Sequence, residues 1–125
     1  MPQRPLFSVS RSRAARPVKP GDIVVGAFPG AQATKIRPAV VLSTEDYLTH
    51  RPDVVVGLIT TQVPRPFAPT DCALLDWMQE ELHAASYFRL FPVTLSQCEV
   101  RLIGRLSGSD WEPVRLCLKV GFGSW

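Results

Sequence analysis

One arginine and a polar triplet close two otherwise apolar stretches of this chain. Arg37 opens the run Arg37-Pro38-Ala39-Val40-Val41-Leu42-Ser43, and Thr60, Thr61 and Gln62 end the run that begins at Val54. A segment serving only a core needs neither a guanidinium nor hydroxyls at its end. A guanidinium offers a fork of N–H donors and a threonine hydroxyl adds another, so the two together suit an anion. If the stretches pair antiparallel with Ser43 opposite Val54, Arg37 falls opposite Thr60. Directly opposed Cβ atoms then lie about 4.5–5.5 Å apart. That register is an expectation, because the connection 44–53 is too long to dictate it. A slip of one residue would send the two side chains to opposite faces.

The elements that must hold these residues are short strands. Lys19-Pro20-Gly21-Asp22 has turn chemistry and launches the strand Ile23–Phe28, which Pro29-Gly30 ends. Pro38 suits the first residue of a second strand, where a missing N–H matters least. Ser43 or Thr44 can cap a helical turn holding Glu45, Asp46 and Tyr47. Asp53–Thr61 is the most hydrophobic strand and reads as central. Pro64, Pro66 and Pro69 make the next stretch a loop. Asp71–Leu75 and Ser86–Leu90 are short strand candidates, with a turn or loop over 76–84 between them, and Val100–Leu106 is the last strand. A terminal helix follows, capped at Ser107 or Ser109, with Trp111, Val114 and Leu118 at helical spacing. Pro113 fits the first turn of a helix capped at Ser109 but would damage one begun at Ser107. Many short strands and one helix predict a small β-barrel or strongly curved sheet.

With 125 residues, nearly half of them apolar, the chain is expected to form one domain with a real core. No apolar run approaches the roughly 20 residues needed to cross a bilayer. The net charge of +3 is unevenly spread. Arg4, Arg11, Arg13, Arg16 and Lys19 sit in a start that holds no acid, and the remaining nine basic residues face eleven acidic ones. Residues 1–18 therefore read as a flexible basic arm and 19–125 as the folded domain. Cys72, Cys98 and Cys117 are odd in number and contain no CxxC, which fits reduced thiols in a cytosol, buried as small hydrophobes. His50 and His83 read as surface histidines. Asp71, Asp76, Glu80 and Glu81 lack a histidine partner and ligand spacing, so they read as a solvated acidic face. Trp111 reads as a core or interface residue, and Phe122 with Trp125 as an exposed aromatic end. No serine-nucleophile elbow or phosphate-binding glycine loop occurs.

Taken in order, these segments resemble the PemK/MazF-like toxins of bacterial type II toxin–antitoxin pairs. The likeness is carried by Lys19–Val24, by Arg37–Ser43 with Tyr47, by Asp53–Gln62, and by Ile103-Gly104-Arg105-Leu106-Ser107 before the helix. It implies an SH3-like barrel that forms a homodimer and cuts single-stranded RNA without metal or cofactor, held inactive by a cognate antitoxin. It also implies that Arg37 and Thr60 are the catalytic pair, with Lys35, Thr61, Gln62 and Arg65 binding RNA. Attack by the RNA's own 2′-hydroxyl needs no protein nucleophile. It needs a phosphate held and its growing charge neutralised, which a forked arginine and a hydroxyl can do. The group that moves the proton is not legible. Two departures bear on substrate preference: the loop Pro29–Ile36 is short, and Phe91-Pro92 stands where many members have Asp-Lys. The related CcdB-like toxins share the barrel yet poison gyrase by binding, and a non-catalytic barrel that binds protein or nucleic acid is a further reading.

Overall fold

A computed structural model describes residues 17–30 and 33–124. Nearly all of the expected arm, and Trp125 of the aromatic end, lie outside the described residues. The elements run β1 (Asp22–Phe28), β2 (Lys35–Val41), α1 (Glu45–His50), β3 (Asp53–Thr60), β4 (Asp71–Leu74), β5 (Ser86–Ser96), a 3₁₀ turn (Gln97–Glu99), β6 (Arg101–Arg105) and α2 (Gly108–Phe122). The strands form one antiparallel sheet in the order β4-β5-β3-β2-β1-β6, curled into a half-barrel with α2 packed against it. This is the mainly β architecture expected.

Both faces of the central strands are buried. Ile23, Val40, Ile59 and Phe88 join Leu74, Val114 and Cys117 in one core, whereas Val24, Ala39, Val41, Val54 and Val56 form a second with Val18 and Val100. Side chains two apart share a face, so burying both faces produces apolar runs without polar alternation. Val18, read as the end of the arm, is part of this second core.

The opening turn couples three elements. Gly21 takes φ +86°, its N–H donates to Val41 O at 2.9 Å, and its carbonyl accepts from Leu106 N at 2.9 Å. The Trp111 ring lies over it, 3.4 Å from where a Cβ would stand. Asp22 accepts from Lys19 N at 2.8 Å and from the Arg105 guanidinium at 2.7 Å. Thr44 caps α1 by accepting from Tyr47 N at 3.2 Å, while the Ser43 hydroxyl accepts from Val55 N at 2.8 Å. The Tyr47 hydroxyl donates to the Asp53 carboxylate and ties α1 to β3.

Two strand expectations need correction. Pro38 is not the first residue of β2 but its fourth, facing Val25. Leu42 N–H donates to Val55 O at 2.9 Å, so alternate residues back to position 38 turn their amide toward β3. The β2–β3 ladder stops at Ala39 opposite Leu58, and the missing N–H of Pro38 therefore falls just beyond it. β5 does not stop at Leu90 but runs on through Phe91 and Pro92 to Ser96. Its pairing with β3 jumps from Leu58 opposite Arg89 to Val56 opposite Val93, leaving Leu90, Phe91 and Pro92 facing Gly57 alone. A bulge of this kind accommodates a proline that a regular ladder would reject. A Cβ at Gly57 would stand 2.6 Å from the Phe88 ring, so the bulge is packed tightly.

Of the acidic stretch read as a solvated face only Glu81 is exposed; Asp76 is half-buried. Glu80 and Asp110 are each 1% exposed, and Asp71 is buried as well. The Asp110 carboxylate accepts from Leu75 N at 2.9 Å and Asp76 N at 3.0 Å. Asp76 accepts from the hydroxyls of Ser107 at 2.6 Å and Ser109 at 3.2 Å, and Glu80 accepts from Ser107 N at 2.8 Å. These bonds explain why Ser107 is the N-cap although Pro113 then lies inside α2. The cap is anchored by side chains from the 75–80 turn, and that network offsets the one helical bond Pro113 cannot make. Burial pushes the Glu80 carboxyl up to about 7, and a hydrogen bond with Asp110 adds to the rise. The cysteine expectation fails at Cys98, which is exposed; Cys117 is buried and Cys72 half-buried.

Candidate active-site cleft

Beyond the end of the β2–β3 ladder the sheet opens into a cleft of about 880 Å³. The register is the expected one: Ala39 faces Leu58, Val40 faces Gly57 and Val41 faces Val56. Continued by two residues, it brings Arg37 level with Thr60. The pair stands past the last bonded rung, so strand separation there is not set by the ladder. Pro38 supplies the local reason. It lacks the donor that would extend the β2–β3 ladder, and the gap it leaves is lined by Arg37, Pro38, Leu58, Ile59 and Thr60.

Arg37 and Thr60 are both half-buried, a state that excludes some water while leaving them within reach of a ligand. Thr60 Oγ1 accepts from Gln62 N at 3.1 Å, which fixes the hydroxyl and leaves its O–H free to donate. Lys35, Thr61 and Gln62 line the same cleft and are exposed. Arg65 does not line it. It borders an adjoining groove of about 580 Å³ that shares Leu58, Thr60, Gln62 and Arg89 with the first.

Several lining residues were not foreseen. Arg89 belongs to both depressions, faces Leu58 across the β3–β5 ladder, and stacks over the Phe91 ring at 5.9 Å. Glu81 and His83 come from the segment leading into β5, Ser86 from its first position, and Ile103 from β6. His83 is exposed as expected, but on the wall of the cleft. Arg89 had a detectable signal, since it alternates with the buried Phe88 in a strand. His83 had none, because only the fold brings 81–86 beside 35–37 and 60–62.

The electrostatics favour an anion. Lys35, Arg37 and Arg89 face a single carboxylate, Glu81. Among the described residues the ion pairs join Asp46 with His50, Asp22 with Arg105, and Glu112 with Arg115, so none engages a cation of the cleft. Cations held near one another without acid partners concentrate positive potential in a partly enclosed space. Asp76, Glu80 and Asp110 are the described acids close enough together to suit a cation, but they lie apart from this cleft, in the anchor of α2.

No curated protein matches the chain. Solved structures do. A mycobacterial endoribonuclease bound to its cognate antitoxin aligns with TM-score 0.67 and 20% identity over 86% of this chain and 98% of its own. A MazE–MazF structure from Deinococcus radiodurans gives TM-score 0.68 and 16% identity over 88% and 100%. The Mycobacterium tuberculosis toxin MazF-mt6 gives TM-score 0.64 and 22% identity over 83% and 99%. At these identities the likeness is one of fold. No helix among the described residues is long and apolar enough to cross a membrane. Residues 19–122, all but the arm and the last three residues, match the PemK-like, MazF-like toxins of type II toxin–antitoxin systems, and the chain belongs to that family.

Proposed function

We propose that the chain is a toxin-type endoribonuclease that cuts single-stranded RNA without a metal ion. Arg37 forks onto two oxygens of the scissile phosphate, and the Thr60 hydroxyl donates to the same group. Charge growing on the phosphoryl oxygens meets donors already in place, which lowers the barrier without reorganisation. Lys35, Thr61 and Gln62 hold the flanking strand in the cleft, and Arg65 and Arg89 extend the grip along the adjoining groove. The observation that carries this reading is the cleft itself, whose unpaired cations gather where Pro38 ends the β2–β3 ladder. A homodimer in the cytosol, neutralised by an antitoxin whose acidic segment would fill the cleft, belongs to the same reading. The relatives solved with an antitoxin support it.

The test is cleavage of mixed-sequence RNA in EDTA by the wild-type chain, Arg37→Ala and Thr60→Ala. Removing one preorganised donor is expected to cost on the order of 10²–10³ in rate. Undiminished cutting by Arg37→Ala would sink the assignment. A second reading, a toxin acting by binding gyrase as CcdB-like proteins do, draws on the exposed Leu116, Val120 and Phe122 of α2. Gyrase inhibition with RNA left intact would favour it.

A further inference from the structure

Transesterification by the 2′-hydroxyl requires a group that takes up a proton, and neither Arg37 nor Thr60 suits that task. A guanidinium has no acceptor and keeps its proton in proteins, and a charged lysine likewise has donors only. These limits remove Arg37, Arg89 and Lys35. A hydroxyl is a weak base, which removes Thr60, Thr61 and Ser86. Two groups lining the cleft remain, Glu81 and His83.

Their placement separates them. Glu81 leaves the backbone against β6: its Cβ lies 3.6 Å from where a Cβ on Gly104 would stand. His83 approaches from the β5 side. Tyr87 faces Thr60 across the β3–β5 ladder, so Ser86 falls level with Thr61, and His83 is on the short lead into that rung. That lead is held rather than loose. Leu82 is buried and its N–H donates to Trp77 O at 3.0 Å, while the Ser86 hydroxyl donates to Ala84 O at 2.8 Å. Upstream, Glu80 and Asp110 fasten the turn to the start of α2. His83 is thus an exposed imidazole between two fixed points on the wall of an anion-binding cleft. The charged groups facing that space are Lys35 and Arg37 from β2, Arg89 from β5 and Glu81 from its own turn, with Val25, Phe28 and Ile103 the uncharged contributions of β1 and β6.

We infer that His83 is the general base of the proposed RNA cleavage, a role that rests on that reading. Its neutral ring nitrogen accepts the proton of the 2′-hydroxyl as the 2′-oxygen bonds to phosphorus. The bond from phosphorus to the 5′-oxygen breaks, and the departing oxygen takes a proton from water in the open cleft. The imidazolium then returns its proton to solvent. The products are a 2′,3′-cyclic phosphate and a 5′-hydroxyl. Arg37 and Thr60 stabilise charge, and His83 moves the proton.

The experiment measures kcat and KM for a single-stranded RNA between pH 5 and 9 with wild type, His83→Gln, Glu81→Gln and Arg37→Ala. Binding of an uncleavable 2′-deoxy analogue is measured alongside. Wild-type rates should rise with pH, because a protonated ring cannot accept the proton of the 2′-hydroxyl. His83→Gln should lose that rise and fall in kcat by about 10²-fold or more, the usual contribution of general acid–base catalysis. It should bind the analogue as wild type does and regain rate when imidazole is added. A kcat within threefold of wild type, or an unchanged pH profile, overturns the role of His83 while the phosphate clamp stands. Loss of the rise in Glu81→Gln instead of His83→Gln also overturns it. Full activity in Arg37→Ala, or no cutting by wild type, overturns the clamp and the base together.

Discussion

Two clusters of charge, the anchor of α2 and the cleft, lie apart in the molecule and are built on opposite rules. The anchor of α2 holds Asp76, Glu80 and Asp110, and both oxygens of Asp110 and one each of Asp76 and Glu80 accept from a backbone N–H or a serine hydroxyl. Glu80 Oε1 is the one buried side-chain nitrogen or oxygen lacking a hydrogen-bond partner among the described residues. The cleft holds Lys35, Arg37 and Arg89 with no acidic partner among those residues. A satisfied network fixes geometry, since each lost partner leaves a desolvated group behind. Unpaired cations at a half-open surface fix nothing; they wait for a ligand. The comparison therefore divides stability from function by place.

The largest expected effect tests that division from the cleft side. Arg37→Gln should reduce RNA cutting by on the order of 10²–10³. Its unfolding free energy in urea should stay within about 0.5 kcal/mol of wild type, as for a surface substitution away from structural features. A slight gain is consistent as well, because one of several like charges has gone. A loss of several kcal/mol would mean that Arg37 holds the fold together, and the division would fail.

From the anchor side the expectation reverses. Asp110→Ala strips the acceptor from Leu75 N and Asp76 N and removes the acid in the first turn of α2. Each buried donor left unsatisfied costs about 1–3 kcal/mol, so a loss of about 3 kcal/mol is expected from urea unfolding. A change below about 1 kcal/mol would show the network to be ornamental.

Much of this was readable in the chain, and the parts that were not share one cause. Apolar runs ending in polar residues located β2 and β3, and their register followed from facing Ser43 with Val54. Ser43 or Thr44 as a cap, which the structure resolves to Thr44, and the spacing of Trp111 and Val114 located α1 and α2. These are local signals, legible within a few residues. What escaped depends on partners far along the chain. Asp110 reads as an ordinary first-turn acid until residues 75 and 76 arrive to donate to it. Ser107 wins the cap over Ser109 because Asp76 and Glu80 hold it, a tertiary override of the Pro113 rule. Pro92 reads as a strand end unless Gly57 is known to lie opposite a bulge. His83 reaches the cleft in the same way, because the β3–β5 ladder carries the lead into β5 beside Thr60 and Thr61.

The smallest effect is the most direct probe of the anchor. Glu80 is pushed from its ordinary 4.5 to about 7, chiefly by burial. Below pH 4.5 the carboxyl is protonated in both folded and unfolded chains, and it contributes no pH dependence. Between about 4.5 and 7 the unfolded chain releases the proton while the folded chain keeps it, so stability falls as pH rises; above 7 the fall levels off. A proton on Glu80 also gives the pair with Asp110 the donor that two carboxylates lack. Glu80→Gln preserves the acceptor for Ser107 N, supplies a permanent donor and cannot ionise. It should flatten the stability profile between pH 5 and 7.5 and leave the protein more stable than wild type at pH 8, by about 1 kcal/mol, the worth of one net hydrogen bond. A wild-type stability that climbs with pH across this window would reverse the sign and show that Glu80 is ionised in the folded chain. The anchor would then carry uncompensated negative charge, and its contrast with the cleft would be one of sign alone.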